Sequence, residues 1–242
     1  AEGDNNTTLD EFRSDGFGLG TDNTELLNKG TNTYVAWNWK ANGGTATATI
    51  SESGNNPAAV VQANPTAGFS IITYTGTSGT GTIAHGLGAV PKMIIIKNRG
   101  DARNWIVYHG ENTSAPETDF LILNTSAATA DNADMFSDTA PTSSVFTIGN
   151  TNNDGTNEDN DTYVAYCFAE VEGYSKFGSY SGNGNADGAF VHLGFRPAWV
   201  MLKRTDSADD WEIMDSKRSE INGRRAYLFA NTNDAETTSL AD

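Results

Sequence analysis

The stretch 150–161 is the part of this chain whose residue types and spacing come nearest to a binding site. Oxygen-bearing side chains stand at its positions 1, 3, 5, 9 and 12 (Asn150, Asn152, Asp154, Glu158 and Asp161), with Gly155 at position 6. A calcium loop uses this spacing because alternate side chains turn toward one ion and a glycine permits the sharp bend at the sixth place. Asn150 replaces the usual aspartate, and the flanking segments read as strands rather than helices. Two readings therefore stand: a calcium site built on Asn150, Asn152, Asp154 and Asp161, or a disordered acidic hairpin loop, toward which the flanking strands weigh.

Other chemistry is thinly supplied. Glycoside cleavage needs only two carboxylates; Glu170 and Glu172 stand two apart on an expected strand, hence on one face, and Asp206, Asp209 and Asp210 form a loop run. In a chain with 31 acidic residues such pairs arise as solvated faces and turns. The three histidines, His85, His109 and His192, are scattered, and the single cysteine, Cys167, sits inside an apolar run. That excludes a cysteine-rich zinc cluster and an internal disulfide, and it reads Cys167 as a buried, inert thiol. Nucleophile-elbow, phosphate-cradling and dinucleotide-binding patterns are missing from the sequence, so no catalytic residue is assigned. Trp105 and Trp211 lie among alternating apolar residues and read as packing side chains, while Trp37 and Trp39 share one face.

These side chains must be positioned by a polar, turn-rich chain. Over 242 residues, 31 acidic and 15 basic side chains give a net charge of −16. Such a balance opposes binding to a phosphate backbone. The charge is uneven: residues 173–242 hold 8 bases against 10 acids, and the other acids lie earlier. The bases of that last segment, among them Lys203, Arg204, Lys217 and Arg218, read as a solvated face in preference to a contact with an acidic neighbour. Apolar runs have strand length and none approaches the ~18 residues of a membrane span. The chain begins at Ala1 with no signal-peptide pattern and no initiator Met, and so reads as a processed or partial product.

Self-comparison supplies the organisation. Phe17 to Gly20 and Tyr34 to Trp39 recur 129 positions later as Phe146 to Gly149 and Tyr163 to Phe168. Leu87, Pro91, Lys97 and Trp105 recur 106 positions later as Leu193, Pro197, Lys203 and Trp211; Phe120 and Asn124 recur 107 later as Tyr227 and Asn231. The chain thus divides into a back half at 1–43, an insertion or hairpin arm at 44–67, a complete unit at 68–172, and the front half of a second unit at 173–242. Strands are expected at 69–74, 92–97, 105–108, 120–123, 145–148 and 163–168, each short, β-branched or aromatic, and punctuated by Gly, Pro, Asn and Asp. The fold class is all-β, in tandem antiparallel β-sandwich, jelly-roll-like units with little helix. The front half lacks counterparts of 145–148 and 163–168, which the back half at 10–43 carries; the same chain or a neighbouring one is expected to complete the second unit.

Three segments resemble a repeat of virion proteins from marine tailed bacteriophages. They are His85-Gly-Leu-Gly-Ala-Val-Pro-Lys-Met-Ile-Ile-Ile-Lys97 with Trp105 and His109; Tyr163 through Tyr180; and Gly194-Phe-Arg-Pro-Ala-Trp-Val-Met-Leu-Lys-Arg204 with Trp211. The resemblance covers about residues 68–235, and 17–39 more weakly. It implies a non-enzymatic tail-fibre, spike or capsid-appendage module on the virion surface, with self-association as a trimer, contacts to other virion proteins and attachment to host-surface glycans. Nucleic acid and a membrane span are not expected. The alternative is a secreted or cell-surface carbohydrate-binding module, adhesin or filament subunit of a microbe. In a full second unit the pattern would continue past Asp242.

Overall fold

The computed structural model describes residues 9–20, 27–30, 32–149, 155–218 and 226–238. In chain order the strands are β1 (Leu9–Phe12), β2 (Phe17–Leu19), β3 (Ala48–Ile50), β4 (Ala59–Asn64), β5 (Phe69–Thr75), β6 (Gly81–Ala84), β7 (Pro91–Asn98), β8 (Trp105–His109), β9 (Asp119–Ile122) and β10 (Ala130–Asp131). A single helical turn, α1 (Ala133–Phe136), precedes β11 (Val145–Ile148), β12 (Thr162–Ala169), β13 (Trp199–Lys203), β14 (Trp211–Asp215), β15 (Ala226–Phe229) and β16 (Thr237–Thr238). The chain is all-β, and its strand pairs are antiparallel.

The main sheet has eight strands in the order β10-β9-β8-β7-β12-β5-β4-β3. Its strands alternate because successive side chains point to opposite faces. Ala59 and Val61, Ile72 and Tyr74, Tyr163 and Ala165, Ile94 and Ile96, and Ile106 and Tyr108 form one buried face. The β6–β11 pair and α1 close over it with Ile83, Phe146, Ile148, Met135 and Phe136. Burying each large apolar side chain contributes about 1.5–3 kcal/mol, so this layer dominates the stability of the unit. Asn132 caps α1, accepting the Asp134 backbone N–H, and Ser137 ends it in the left-handed conformation.

The hairpin expected as an arm at 44–67 is built into this sheet instead. β4 pairs with β5 from Ala59↔Tyr74 to Asn64↔Phe69, and Ala59, Val61 and Ala63 are buried. A boundary at Gly68 therefore cuts the sheet, and the packed unit begins at β3. The period-2 pattern of β4 is what binds it there, since its apolar set fits a face that β5 leaves unfilled.

A second sheet, β13-β14-β15-β16, lies against the outer face of the first. Trp211 and Met201 meet Val107, Leu121, Met93 and Ile95, and the Trp211 indole donates to the Ile122 carbonyl at 2.9 Å. This sheet repeats β7–β10 strand for strand. Met93↔His109 becomes Trp199↔Asp215, Val107↔Leu121 becomes Ile213↔Leu228, and Phe120↔Ala130 becomes Tyr227↔Thr237. Side-chain bonds repeat as well: the Trp105 N–H donates to Asn124 Oδ1 at 2.9 Å, and the Trp211 N–H to Asn231 Oδ1 at 2.8 Å. The counterpart of β12 differs. Residues 32–40 run outside any strand, although Tyr163 to Phe168 form the middle of the main sheet.

His85 is wholly buried at the end of β6. Its Nδ1 accepts the Leu87 N–H at 3.3 Å and its Nε2 donates to the Thr142 carbonyl at 3.2 Å, which selects the neutral ring. Burial lowers its pKa, against a smaller raising effect of the Thr142 carbonyl, and a proton on Nδ1 would set two donors face to face. The unfolded chain takes up that proton first as pH falls through about 6.5. Stability is therefore expected to be complete above that pH and to decline below it, levelling off under the depressed native pKa. Urea unfolding between pH 7.5 and 5 should show the decline, and His85→Gln should remove part of the slope.

Candidate functional site

The sequence places its oxygen-rich loop directly before β12, and the folded chain holds the second half of that loop tightly. Asn150, Asn152 and Asp154 lie outside the described residues. From Gly155 onward the loop is a buried plug rather than a disordered hairpin, with Thr156 and Asn157 fully inaccessible. The Tyr74 hydroxyl donates to the Thr156 carbonyl at 2.7 Å, and Thr156 Oγ1 donates to the Met135 carbonyl at 2.7 Å. Asn157 accepts the Thr77 N–H at 2.9 Å and donates to the Gly79 carbonyl at 2.8 Å. A Cβ on Gly76 would overlap the Glu158 carbonyl, so only glycine lets β5 lead out this close to the loop. The reason is polar satisfaction: buried amides and hydroxyls must find partners, and this loop's partners are the turns after β5 and α1.

The plug presents Glu158 and Asp161 beside Asp101 from the turn after β7. One carboxylate oxygen from each lies within 4.8 Å of the others. Arg103 Nη2 sits 3.4 Å from Glu158 Oε2 and 3.7 Å from Asp101 Oδ2, while Asn98 Nδ2 donates to Asp161 Oδ2 at 2.6 Å. Positions 9 and 12 of the expected calcium loop thus come together. Asn98 at the end of β7, and Asp101 and Arg103 from the turn after it, join them because the tertiary fold brings these segments near. Three carboxylate oxygens at this separation suit an oxygen-seeking divalent cation, whose ligands sit at about 2.3–2.6 Å. The positive charge that bridges Asp101 and Glu158 in the described arrangement is the Arg103 guanidinium, half-buried and fork-shaped.

Glu170, Asp206, Asp209 and Asp210 have local partners. Glu170 and Glu172 lie beyond the end of β12, not on a shared strand face. Glu170 accepts the Phe177 N–H and the Lys176 ammonium, both at 3.0 Å, which hold its carboxyl below the usual range against the opposing effect of burial. Asp206 pairs with Arg204 at 2.7 Å, Asp210 accepts from Asn231 at 2.6 Å, and the Asp209 carbonyl accepts from Lys203 at 2.9 Å. Burial pushes the Cys167 thiol up, as expected of an inert core cysteine. Trp105 stacks on Tyr166, and Trp211 is a core residue of the second packing layer.

Aromatic rings also gather on the outer face of the main sheet. Trp39 packs on Phe168 at 5.9 Å, Phe69 at 6.4 Å and Trp199 at 5.8 Å between centroids, and Phe177 flanks Phe168. A separate depression of about 280 Å³ on the β3–β5 side offers Thr49, Thr73, Thr75, Thr162 and Arg99, groups that could hydrogen-bond a polar ligand.

Replacing Arg103 with Ala leaves three close carboxylates without their bridging cation. The expected loss is about 1 kcal/mol, or roughly 2–4 °C in melting temperature for a domain of this size. Millimolar calcium should raise the melting temperature of Arg103→Ala and leave the unaltered chain nearly unchanged, measured by thermal unfolding with calcium and with chelator.

No curated protein and no solved structure matches the chain. A family model described as Domain of unknown function (DUF7483) matches residues 1–242. Across its whole length, then, the chain belongs to the DUF7483 family, whose shared pattern here spans both packed sheets and the acidic plug between β11 and β12.

Proposed function

We propose that the chain is a non-enzymatic structural module of a virion surface, a tail-fibre, spike or capsid-appendage element that serves assembly and attachment to host-surface glycans. The observation that carries this reading is the location of the repeated residues. Ile94, Ile96, Tyr163 and Ala165 are core residues, and Asn124 and Asn231 tie equivalent strand ends. What the chain duplicates is therefore a framework rather than a constellation of reactive groups. Stacking of two such frameworks through Trp211 suits a load-bearing part built by repetition. The resemblance of 85–97, 163–180 and 194–204 to phage virion repeats supplies the setting. A net charge of −16 keeps a densely displayed surface soluble and self-repelling.

The second reading, a cell-surface or secreted carbohydrate-binding module or filament subunit, draws on exposed aromatic rings. Trp37 and Trp39 are each more than one third exposed, and such rings offer stacking faces to sugars. No helix among the described residues is long and apolar enough to cross a membrane.

Immunogold labelling with antibody against the chain, on phage particles and on cells of the producing culture, separates the two. Label on tails or capsid surfaces is expected; label on cell envelopes alone would transfer the assignment to the second reading. Glycan-array binding by the purified chain, abolished by Trp37→Ala, would assign the attachment role to that aromatic face.

A further inference from the structure

The described residues within 9–40 and 199–238 expose apolar side chains whose counterparts in the complete unit are buried. In β11, Phe146 and Ile148 are 1% and 0% exposed; in β2, their repeats Phe17 and Leu19 are 40% and 41% exposed. Tyr163 is 1% exposed and its repeat Tyr34 is 47% exposed. On the other side, Ile94, Ile96, Tyr108 and Phe120 form the inner core of the first unit, while Val200, Leu202, Met214 and Tyr227 at the same places in β13–β15 are only half-buried. Among the described residues β13 pairs with β14 alone, so its other edge carries unpaired backbone groups. In the complete unit that edge of β7 is occupied by β12.

The two halves already share the local geometry of the complete unit. The turn bond from Thr142 N–H to Val145 O (2.9 Å) recurs from Arg13 N–H to Gly16 O (2.8 Å). The Glu158 N–H donates to the Tyr163 hydroxyl at 3.0 Å, and the Lys29 N–H to the Tyr34 hydroxyl at 3.1 Å. Phe168 is the register partner of Met93 where β12 meets β7. The repeats of those two residues are Trp39 and Trp199, and their rings lie 5.8 Å apart, edge to face, within one chain. Trp39 also rests on Phe69 and Phe168, on the outer face of the main sheet where Met201 and Trp211 pack. This is where an outward side chain of an added strand beside β13 would fall.

We infer that residues 33–40 form a strand on the free edge of β13, in the register β12 makes with β7, so that a single chain closes a second sandwich back to back with the first. Ala36 then faces Leu202 and Trp37 faces Met201, as Ala165 faces Ile96 and Tyr166 faces Ile95. Tyr34 and Ala36 turn toward the half-buried face of Val200 and Leu202, and the β1–β2 hairpin supplies Phe17 and Leu19 to cover it. The occupant is a segment of the same chain because the Trp39–Trp199 contact is already intramolecular.

Cysteine pairs test the register. Opposed residues of an antiparallel pair have Cα atoms about 4.5–5.5 Å apart, within disulfide range. In the Cys167→Ala background, Ala36→Cys with Leu202→Cys, and separately Trp37→Cys with Met201→Cys, should oxidise to an intramolecular disulfide, seen as a monomer of increased mobility on a non-reducing gel. Ala36→Cys with Val200→Cys should close on the order of tenfold less, since it is out of register. A disulfide-linked dimer would overturn the single-chain assignment in favour of a second copy donating the strand. No closure of either in-register pair would overturn the strand itself. Hydrogen exchange on the unaltered chain guards against misfolded variants: the alternate amides of 35–39 that face β13 should exchange on the order of 100-fold more slowly than in the free peptide, and free-peptide rates at all of 35–39 would refute the inference.

Discussion

Strand β12 is flanked on both edges, by β5 and by β7, and it packs side chains on both faces. Inward it places Tyr163, Ala165 and Cys167 in the core; outward it offers Tyr166 and Phe168 to aromatic neighbours. Tyr163 stacks on Tyr74 at 4.9 Å with ring planes 9° apart, and both hydroxyls reach past the sheet end to hold the 155–161 loop. Burial raises both phenols well above their ordinary range, so they remain neutral donors at any physiological pH. The acidic plug, and the carboxylate group it presents to Arg103, are consequences of where this strand sits.

In the second sheet no strand among the described residues stands at the place of β12. Its hairpin registers and strand-end asparagine bonds match those of β7–β10, so these features are local and need no β12. What it lacks is a buried inner face. Its outer face is the packed one, since Trp211 and Met201 close the layer against Val107 and Leu121. A sheet with one face packed and the other half-open is stable only when more chain covers it.

Among the described residues of the C-terminal segment, Arg218 and Lys203 are held by nearby carboxylates and carbonyls. Arg218 binds Asp215 at 2.6 Å and Glu236 at 2.7 Å, and Lys203 donates to the Ser126, Arg204 and Asp209 carbonyls. Lys203 repeats Lys97, which likewise bonds the carbonyls of Asn98 and Asp101. These cations close turns; they are not arranged as a continuous basic surface.

Local pattern made much of this legible. Alternation, β-branched residues and Gly/Asn punctuation located β5, β7, β8, β9, β11 and β12 within a residue or two, and the recurrence of Trp105 with Asn124 announced the second sheet. β6 and β10 were not expected: Gly81-Thr-Ile-Ala84 carries a single large apolar residue and Ala130-Asp131 none, so neither shows an apolar alternation. At the site, the spacing of Glu158 and Asp161 was visible, but Asp101, Arg103 and Asn98 were not: they stand about 60 residues earlier and share no motif with the loop. The sequence by itself determined the longer apolar strands of the main sheet and the all-β class, which depend on side chains within a few residues of one another, and the repeat, which is a recurrence of residue types. Only the tertiary structure decided that the 44–67 hairpin joins the main sheet, that an arginine bridges the acidic loop to its neighbour, and that Trp39 lies against Trp199. Those outcomes depend on which distant surfaces bury each other, and a linear pattern holds the pieces of that choice without its result.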